Sequence, residues 1–205
     1  MPLVRRPTIS AAAPAREAAP GEPFALLSDP DAGVRWSAAR ALADEPGGIQ
    51  ALARALARET EPRVREAITT SLMRAGSEEA VCALIEHVRS DDAALRTLVV
   101  EALQGMAAAA SHLPDLMADA DPDVRILAAE IARSMPADEA TGLLADALAG
   151  EQHPNVAASI VEVLVEVGTS DAIDALRMAR RRFAAEPFLP FAVDIALERL
   201  ARSEP

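Results

Sequence analysis

The chain repeats itself about every thirty residues, and no other feature constrains its fold as tightly. The clearest copies are Asp29-Pro30-Asp31-Ala32-Gly33-Val34-Arg35 and Asp121-Pro122-Asp123-Val124-Arg125. Between them lie Glu61-Pro62-Arg63-Val64-Arg65 and Asp91-Asp92-Ala93-Ala94-Leu95-Arg96. With the apolar residue before each Arg as a marker, the series is Val34, Val64, Leu95, Val124, Val156 and Leu189, spaced 30, 31, 29, 32 and 33 residues apart. A unit this small cannot bury its own apolar face and must stack on copies of itself.

The stacked unit reads as a pair of helices. Apolar residues make up 51% of the chain but aromatics only 2%, so Ala, Leu, Val and Ile must build the core. Ala and Leu are strong helix formers, and small side chains let helices approach closely. The marker helix of each pair, here B, opens on a polar residue followed by Pro at Glu61-Pro62, Asp121-Pro122, His153-Pro154 and Glu186-Pro187. Proline has no N–H to lose in a first helical turn. The preceding A helices are expected over 23–28, 48–58, 78–89, 109–117, 138–148 and 170–183, separated by breakers such as Pro46-Gly47-Gly48, Gly76, Pro136 and Gly168. The expectation is all-α, a right-handed α-solenoid of about six repeats over 23–205, after a flexible proline-rich arm over 1–22. In the last repeat Pro190 takes the Arg position and Asp194 an otherwise small or apolar slot, as in a terminal cap with a polar outer face.

The string acid-Pro-Asp-Val-Arg-x-x-Ala-Ala-x-Ala-Leu, on two-helix units, resembles the HEAT-like repeats of bilin lyases over roughly residues 23–200. The resemblance implies a ladder of hydrogen bonds between repeats, with Arg35, Arg65, Arg96 and Arg125 as donors and Asp31, Glu61, Asp92 and Asp123 as partners. Ala157 and Pro190 interrupt it, which predicts a looser or purely apolar C-terminal junction.

The formal charge is −12 and all twenty basic residues are Arg. Such a chain is repelled by nucleic-acid backbones and anionic membranes, so neither is expected as a partner. Arg177, Arg180, Arg181 and Arg182 form one basic cluster, read as a solvated outer face. No apolar run approaches the ~20 residues that span a bilayer, and no secretory signal pattern is present. A cytoplasmic, bacterial protein is the default expectation. Cys82, the sole cysteine, reads as a buried, inert thiol among Ala80, Val81, Ala83 and Leu84.

No catalytic constellation is evident. His87, His112 and His153 lie in separate repeats, Tyr is absent, and no Cys/His cluster, Gly-rich phosphate loop or Ser-His-Asp set appears. Neither a metal site nor a cofactor is expected. What remains is the outward side of the B helices, expected to line the concave face. Its candidate partner-binding residues are Trp36, Arg40, Glu66, Thr97, Leu98, Glu101, Ile126, Leu127, Glu130 and Glu162. Glu101, Glu130 and Glu162 form an acidic ridge, while Trp36, Ile126 and Leu127 offer apolar anchors. Residues 76–176 hold nineteen acids and four Arg, a net charge of −15. A non-catalytic adaptor binding a protein with a basic or mixed basic and apolar segment follows. Acidic helix faces that only keep an Ala-rich chain soluble are the competing explanation. The repeat type suggests as an alternative a bilin lyase or phycobilisome-associated subunit.

Overall fold

A computed structural model describes residues 22–202. It contains six helix pairs: α1 (Glu22–Leu26) with α2 (Ala32–Ala41), α3 (Gly48–Leu56) with α4 (Pro62–Ala75), α5 (Glu78–Ile85) with α6 (Ala93–Gln104), α7 (Leu113–Met117) with α8 (Pro122–Ala132), α9 (Ala137–Gly150) with α10 (Pro154–Val167), and α11 (Ile173–Arg182) with α12 (Leu189–Arg202). Short 3-10 segments, Ala107–His112 and Ser170–Ala172, lead into α7 and α11. No strand occurs among the described residues. The arm expected over 1–22 lies outside them except for Glu22, which opens α1.

The even-numbered helices are the B helices of the sequence pattern. They form one layer in which α2 packs on α4, α4 on α6, α6 on α8, α8 on α10 and α10 on α12. The A helices form the other, with α3 on α5 and α9 on α11. Every marker but Val34 is buried, and Leu42, Leu52, Leu56, Ile68, Leu72, Leu84, Leu103, Ile131, Leu144 and Ile160 are fully enclosed. Each such side chain contributes about 1.5–3 kcal/mol from removal of apolar surface from water. Alanine pairs such as Ala38-Ala39 and Ala128-Ala129, also buried, let adjacent B helices approach closely.

Local chemistry sets the boundaries. Pro62, Pro122 and Pro154 open α4, α8 and α10, while Asp31, Asp92 and Asp121 cap α2, α6 and α8 with side-chain oxygens. Helix α12 starts at Leu189, not at Pro187, and accommodates Pro190 in its first turn, where no N–H is required. Gly76, at φ +59°, ends α4 in the left-handed region that glycine adopts without strain. Gly48 has a different reason to be glycine: a Cβ there would lie 1.8 Å from the Leu42 carbonyl oxygen.

Candidate functional site

The four arginines of the repeated string do one local job in common. Arg35, Arg65 and Arg125 donate to the carbonyl six residues earlier, at Asp29 (2.9 Å), Glu59 (2.7 Å) and Asp119 (2.7 Å), and Arg96 does so to Ser90. The residue that supplies each carbonyl also turns its side chain onto an N–H two residues ahead. Asp29 accepts from Asp31, Glu59 from Glu61, Ser90 from Asp92, Asp119 from Asp121 and, in the fifth repeat, Glu151 from His153. These bonds close the loop between A and B and satisfy donors that the helix start leaves without partners.

Three of those arginines also reach the next repeat. Arg35 forks onto Glu59 at 2.8 and 3.0 Å, and Arg125 onto Glu151 at 2.8 and 3.1 Å. Arg65 meets Asp92 at 2.6 Å. The planar guanidinium suits such two-pronged pairing. The partners differ from those expected, Asp92 excepted. Asp31 caps α2, Glu61 makes no side-chain cap bond, and Asp123 stands exposed in the first turn of α8. The acid that serves is the one five residues before the marker, and it is read off the sequence as Asp29, Glu59, Ser90, Asp119 and Glu151. The third repeat has Ser90 in that slot, so Arg65 uses Asp92 instead. Among the described residues Arg96 makes no cross-repeat ion pair; Asp119 is one methylene shorter than Glu and is held by Arg89.

Pairing shifts these carboxyls. The Arg35 guanidinium and the Glu61 and Thr60 N–H groups outweigh burial and hold Glu59 at about 2, well below its ordinary 4.5. Burial pushes Glu151 up, but Arg125 and the N–H groups of His153 and Gln152 bring it below its usual value. The Arg65 hydrogen bond lowers Asp92.

The C-terminal junctions are not purely apolar. Arg182, at the end of α11, donates to the carbonyls of Leu148 (2.8 Å), Ala149 and Glu151 (3.0 Å) at the end of α9. Arg199 on α12 donates to Leu164 (3.4 Å) and Glu166 (2.7 Å) in the last turns of α10. Final-turn carbonyls have no acceptor role inside their own helix, and a cation there also meets the negative end of the helix dipole. The basic cluster is therefore partly committed: Arg182 clamps α9, Arg180 forks onto Asp194, and Arg177 pairs with Asp174.

On the B face, positions two and six residues beyond the marker point outward. Arg40, Glu66, Thr70, Thr97, Glu101, Ala158, Glu162, Phe191 and Ile195 are exposed. Glu66, Thr97, Leu98 and Glu101 come together with Thr70 and Met73 around a groove of about 490 Å³ between α4 and α6. Among the described residues Glu66, Glu101 and Glu162 have no ion-pair partner. Glu130 does not join them as a free acid, because Arg133 sits between Glu130 (2.9 Å) and Glu166 and links α8 to α10. The apolar anchors are also fewer than expected. Trp36, Ile126 and Leu127 are half-buried against the core, and Arg40 covers the Trp36 ring at 4.6 Å. Phe191 (68% exposed) and Ile195 (44%) present larger apolar surface on α12, so the terminal repeat does not end in a wholly polar surface.

Cys82 is exposed, contrary to the sequence reading. It shares an outward stripe with Glu78 of α5 and the C-cap Glu86, while Ala80, Val81, Ala83 and Leu84 turn inward. No single helix among the described residues is long and apolar enough to cross a membrane.

Several proteins of known structure are similar to this chain. An engineered protein of known structure is 19% identical, with 88% of this chain and 95% of that one covered at a TM-score of 0.45. A designed armadillo repeat protein in complex with peptide (KR)4 is 17% identical, with 87% and 98% covered and a TM-score of 0.46. The complex of CpcE and CpcF of phycocyanin lyase from Nostoc sp. PCC7120 is 17% identical, with 97% and 100% covered and a TM-score of 0.39. No curated protein matches the chain. The family model for HEAT repeats matches residues 23–104 and 110–184, which take in the first five helix pairs and α11 but not α12. The chain belongs to the HEAT-repeat family.

Proposed function

We propose that this HEAT-repeat chain is a non-catalytic adaptor that holds a basic, partly apolar segment of another protein against its B-helix face. Repeat proteins of this kind often bind peptides or proteins, and the reading here rests on the groove between α4 and α6. There the unpaired carboxylates of Glu66 and Glu101 line the same groove as apolar Leu98 and Met73. Unpaired acids beside apolar surface suit an Arg- or Lys-bearing segment whose alkyl stems lie on the groove floor. Glu162 extends the negative field to α10, and Phe191 and Ile195 extend the apolar surface to α12. The exposed face supplies steering and complementarity, while the arginine ladder fixes the spacing of the helices that display it.

The test is a fluorescence-anisotropy titration with a labelled peptide that alternates Arg and Leu. Wild type is expected to bind, with affinity falling as salt rises. Glu66→Arg with Glu101→Arg should weaken binding by about tenfold or more, at roughly 1.4 kcal/mol per decade. Equal affinity in the double variant, with its helical content intact, would remove the groove from the account.

A further inference from the structure

The outer side of α5 brings together three donors that the sequence keeps apart. Glu78 and Cys82 are four residues apart on one helix and so share a face. His112, at the end of the 3-10 segment of the next repeat, faces them, and its Nε2 lies 2.5 Å from Glu78 Oε1. One ligand atom from each of the three side chains falls within 4.8 Å of the other two. The chain has a single Cys and three His, so abundance alone does not explain a thiol and an imidazole meeting here.

We propose that Glu78, Cys82 and His112 form a binding site for a borderline-soft divalent cation, zinc above all, that bridges the third and fourth repeats. A thiolate, an imidazole nitrogen and a carboxylate oxygen are a donor set that zinc accepts and that calcium and magnesium, which favour all-oxygen shells, do not. Zinc bonds of about 2.0–2.3 Å place tetrahedral donors roughly 3.3–3.8 Å apart, within rotamer adjustment of the present positions. Entry of the ion exchanges the Glu78–His112 contact for two metal bonds, and the proton held in that contact leaves for solvent or for His112 Nδ1, freeing the Nε2 lone pair. The Cys82 thiol loses its proton to solvent as the metal–sulfur bond forms, and no oxidation or reduction occurs. Glu78 and Cys82 are exposed, so the fourth position faces solvent and takes a water molecule or an outside donor. The bridge joins α5 to the 107–112 segment that packs against it, at the junction where Arg96 makes no cross-repeat ion pair. Binding there stabilises that junction by mass action. The site lies on the A-helix layer and does not depend on the groove reading.

Cobalt(II) titration of the reduced, metal-free chain tests the proposal, with zinc as competitor. The expected result is a 1:1 complex with a thiolate-to-metal absorption band that zinc abolishes and magnesium does not. Cys82→Ser should lose the band, and His112→Ala and Glu78→Gln should each weaken zinc binding by about tenfold or more, the order that even an outer-shell partner of a ligand carries. All three side chains are exposed or half-buried, so the variants should keep wild-type helicity by circular dichroism. Stoichiometric zinc should also slow alkylation of Cys82. Zinc affinity in the Cys82→Ser, His112→Ala double variant equal to that of wild type, or alkylation unchanged by zinc, would overturn the site.

Discussion

The first and last junctions of this array use the same cation, and both place it on a main-chain carbonyl, but the first adds a carboxylate. Between the first two repeats Arg74 donates to the Arg40 carbonyl at 3.1 Å and Arg35 forks onto the carboxylate of Glu59, whereas between the last two, among the described residues, Arg182 and Arg199 donate to main-chain carbonyls of α9 and α10. A carboxylate supplies a full charge and a titratable partner. A carbonyl supplies a partial charge that no accessible pH removes. The comparison teaches that a repeat family can keep its stacking geometry while changing the chemistry that enforces it, provided an arginine reaches an acceptor across the junction.

Three experiments separate the two ends. The largest effect is expected from Glu59→Ala, which strips Arg35 of both prongs and leaves the Thr60 and Glu61 N–H groups without their acceptor. Part of the loss is returned by solvent at the rim of the pair, so urea denaturation should show about 2 kcal/mol of destabilisation at neutral pH. A midpoint within error of wild type would show that the fork is ornamental.

Acid comes next in size. A carboxyl held below its unfolded value stabilises the fold fully above that unfolded value and loses the contribution as pH falls toward the folded one. For Glu59 the window runs from 4.5 down to about 2, and the lowered values of Asp92 and Glu151 act in the same sense. Hydrogen exchange should therefore reveal α2 and α4 opening on acidification before α11 and α12, whose pair of Arg180 with the lowered Asp194 is half-exposed and so weaker, and whose cross-repeat acceptors are main-chain carbonyls. Simultaneous opening along the array would contradict the contrast.

The smallest effect belongs to Arg182→Leu. It exposes the last carbonyls of α9 to water, which replaces much of what is lost, and should cost about 1 kcal/mol. That cost should stay constant between about pH 3 and 7, since a main-chain carbonyl acceptor has no ionisable group. An Arg182→Leu penalty that shrinks in acid would point to a carboxylate partner instead. Arg177→Ala, which removes an exposed pair with Asp174, is the matched control and should leave the midpoint unmoved.

The residues differ in how openly the sequence announced them. The marker series and the Pro-opened B helices were legible because helix starts are encoded locally, by Asp121-Pro122 or Glu61-Pro62. The outward positions on the B helices followed from helical periodicity alone. The ladder donors were legible too, but Glu59 and Glu151 were not picked as acceptors, because they lie outside the repeating string and serve an arginine one repeat upstream. Arg182 and Arg199 were invisible as clamps, since main-chain carbonyls carry no sequence signature. Trp36, Ile126 and Leu127 looked exposed because periodicity gives direction and not depth; neighbouring helices cover part of each. Cys82 failed in the opposite sense: its apolar neighbours suggested burial, while its own direction on α5 faces out. His112 meets Glu78 only after one repeat is laid on the next, which no local window contains.

Trp36 has one more consequence. It is the only tryptophan, tyrosine is absent, and its ring sits in the first repeat beneath Arg40. Indole emission from this protein is thus a single-site optical probe, whereas far-ultraviolet dichroism sums over every helix. Where neighbours stabilise one another only pairwise, the two signals need not move together. A shift in emission that runs ahead of the dichroism would register the first repeat detaching while the rest of the stack still stands.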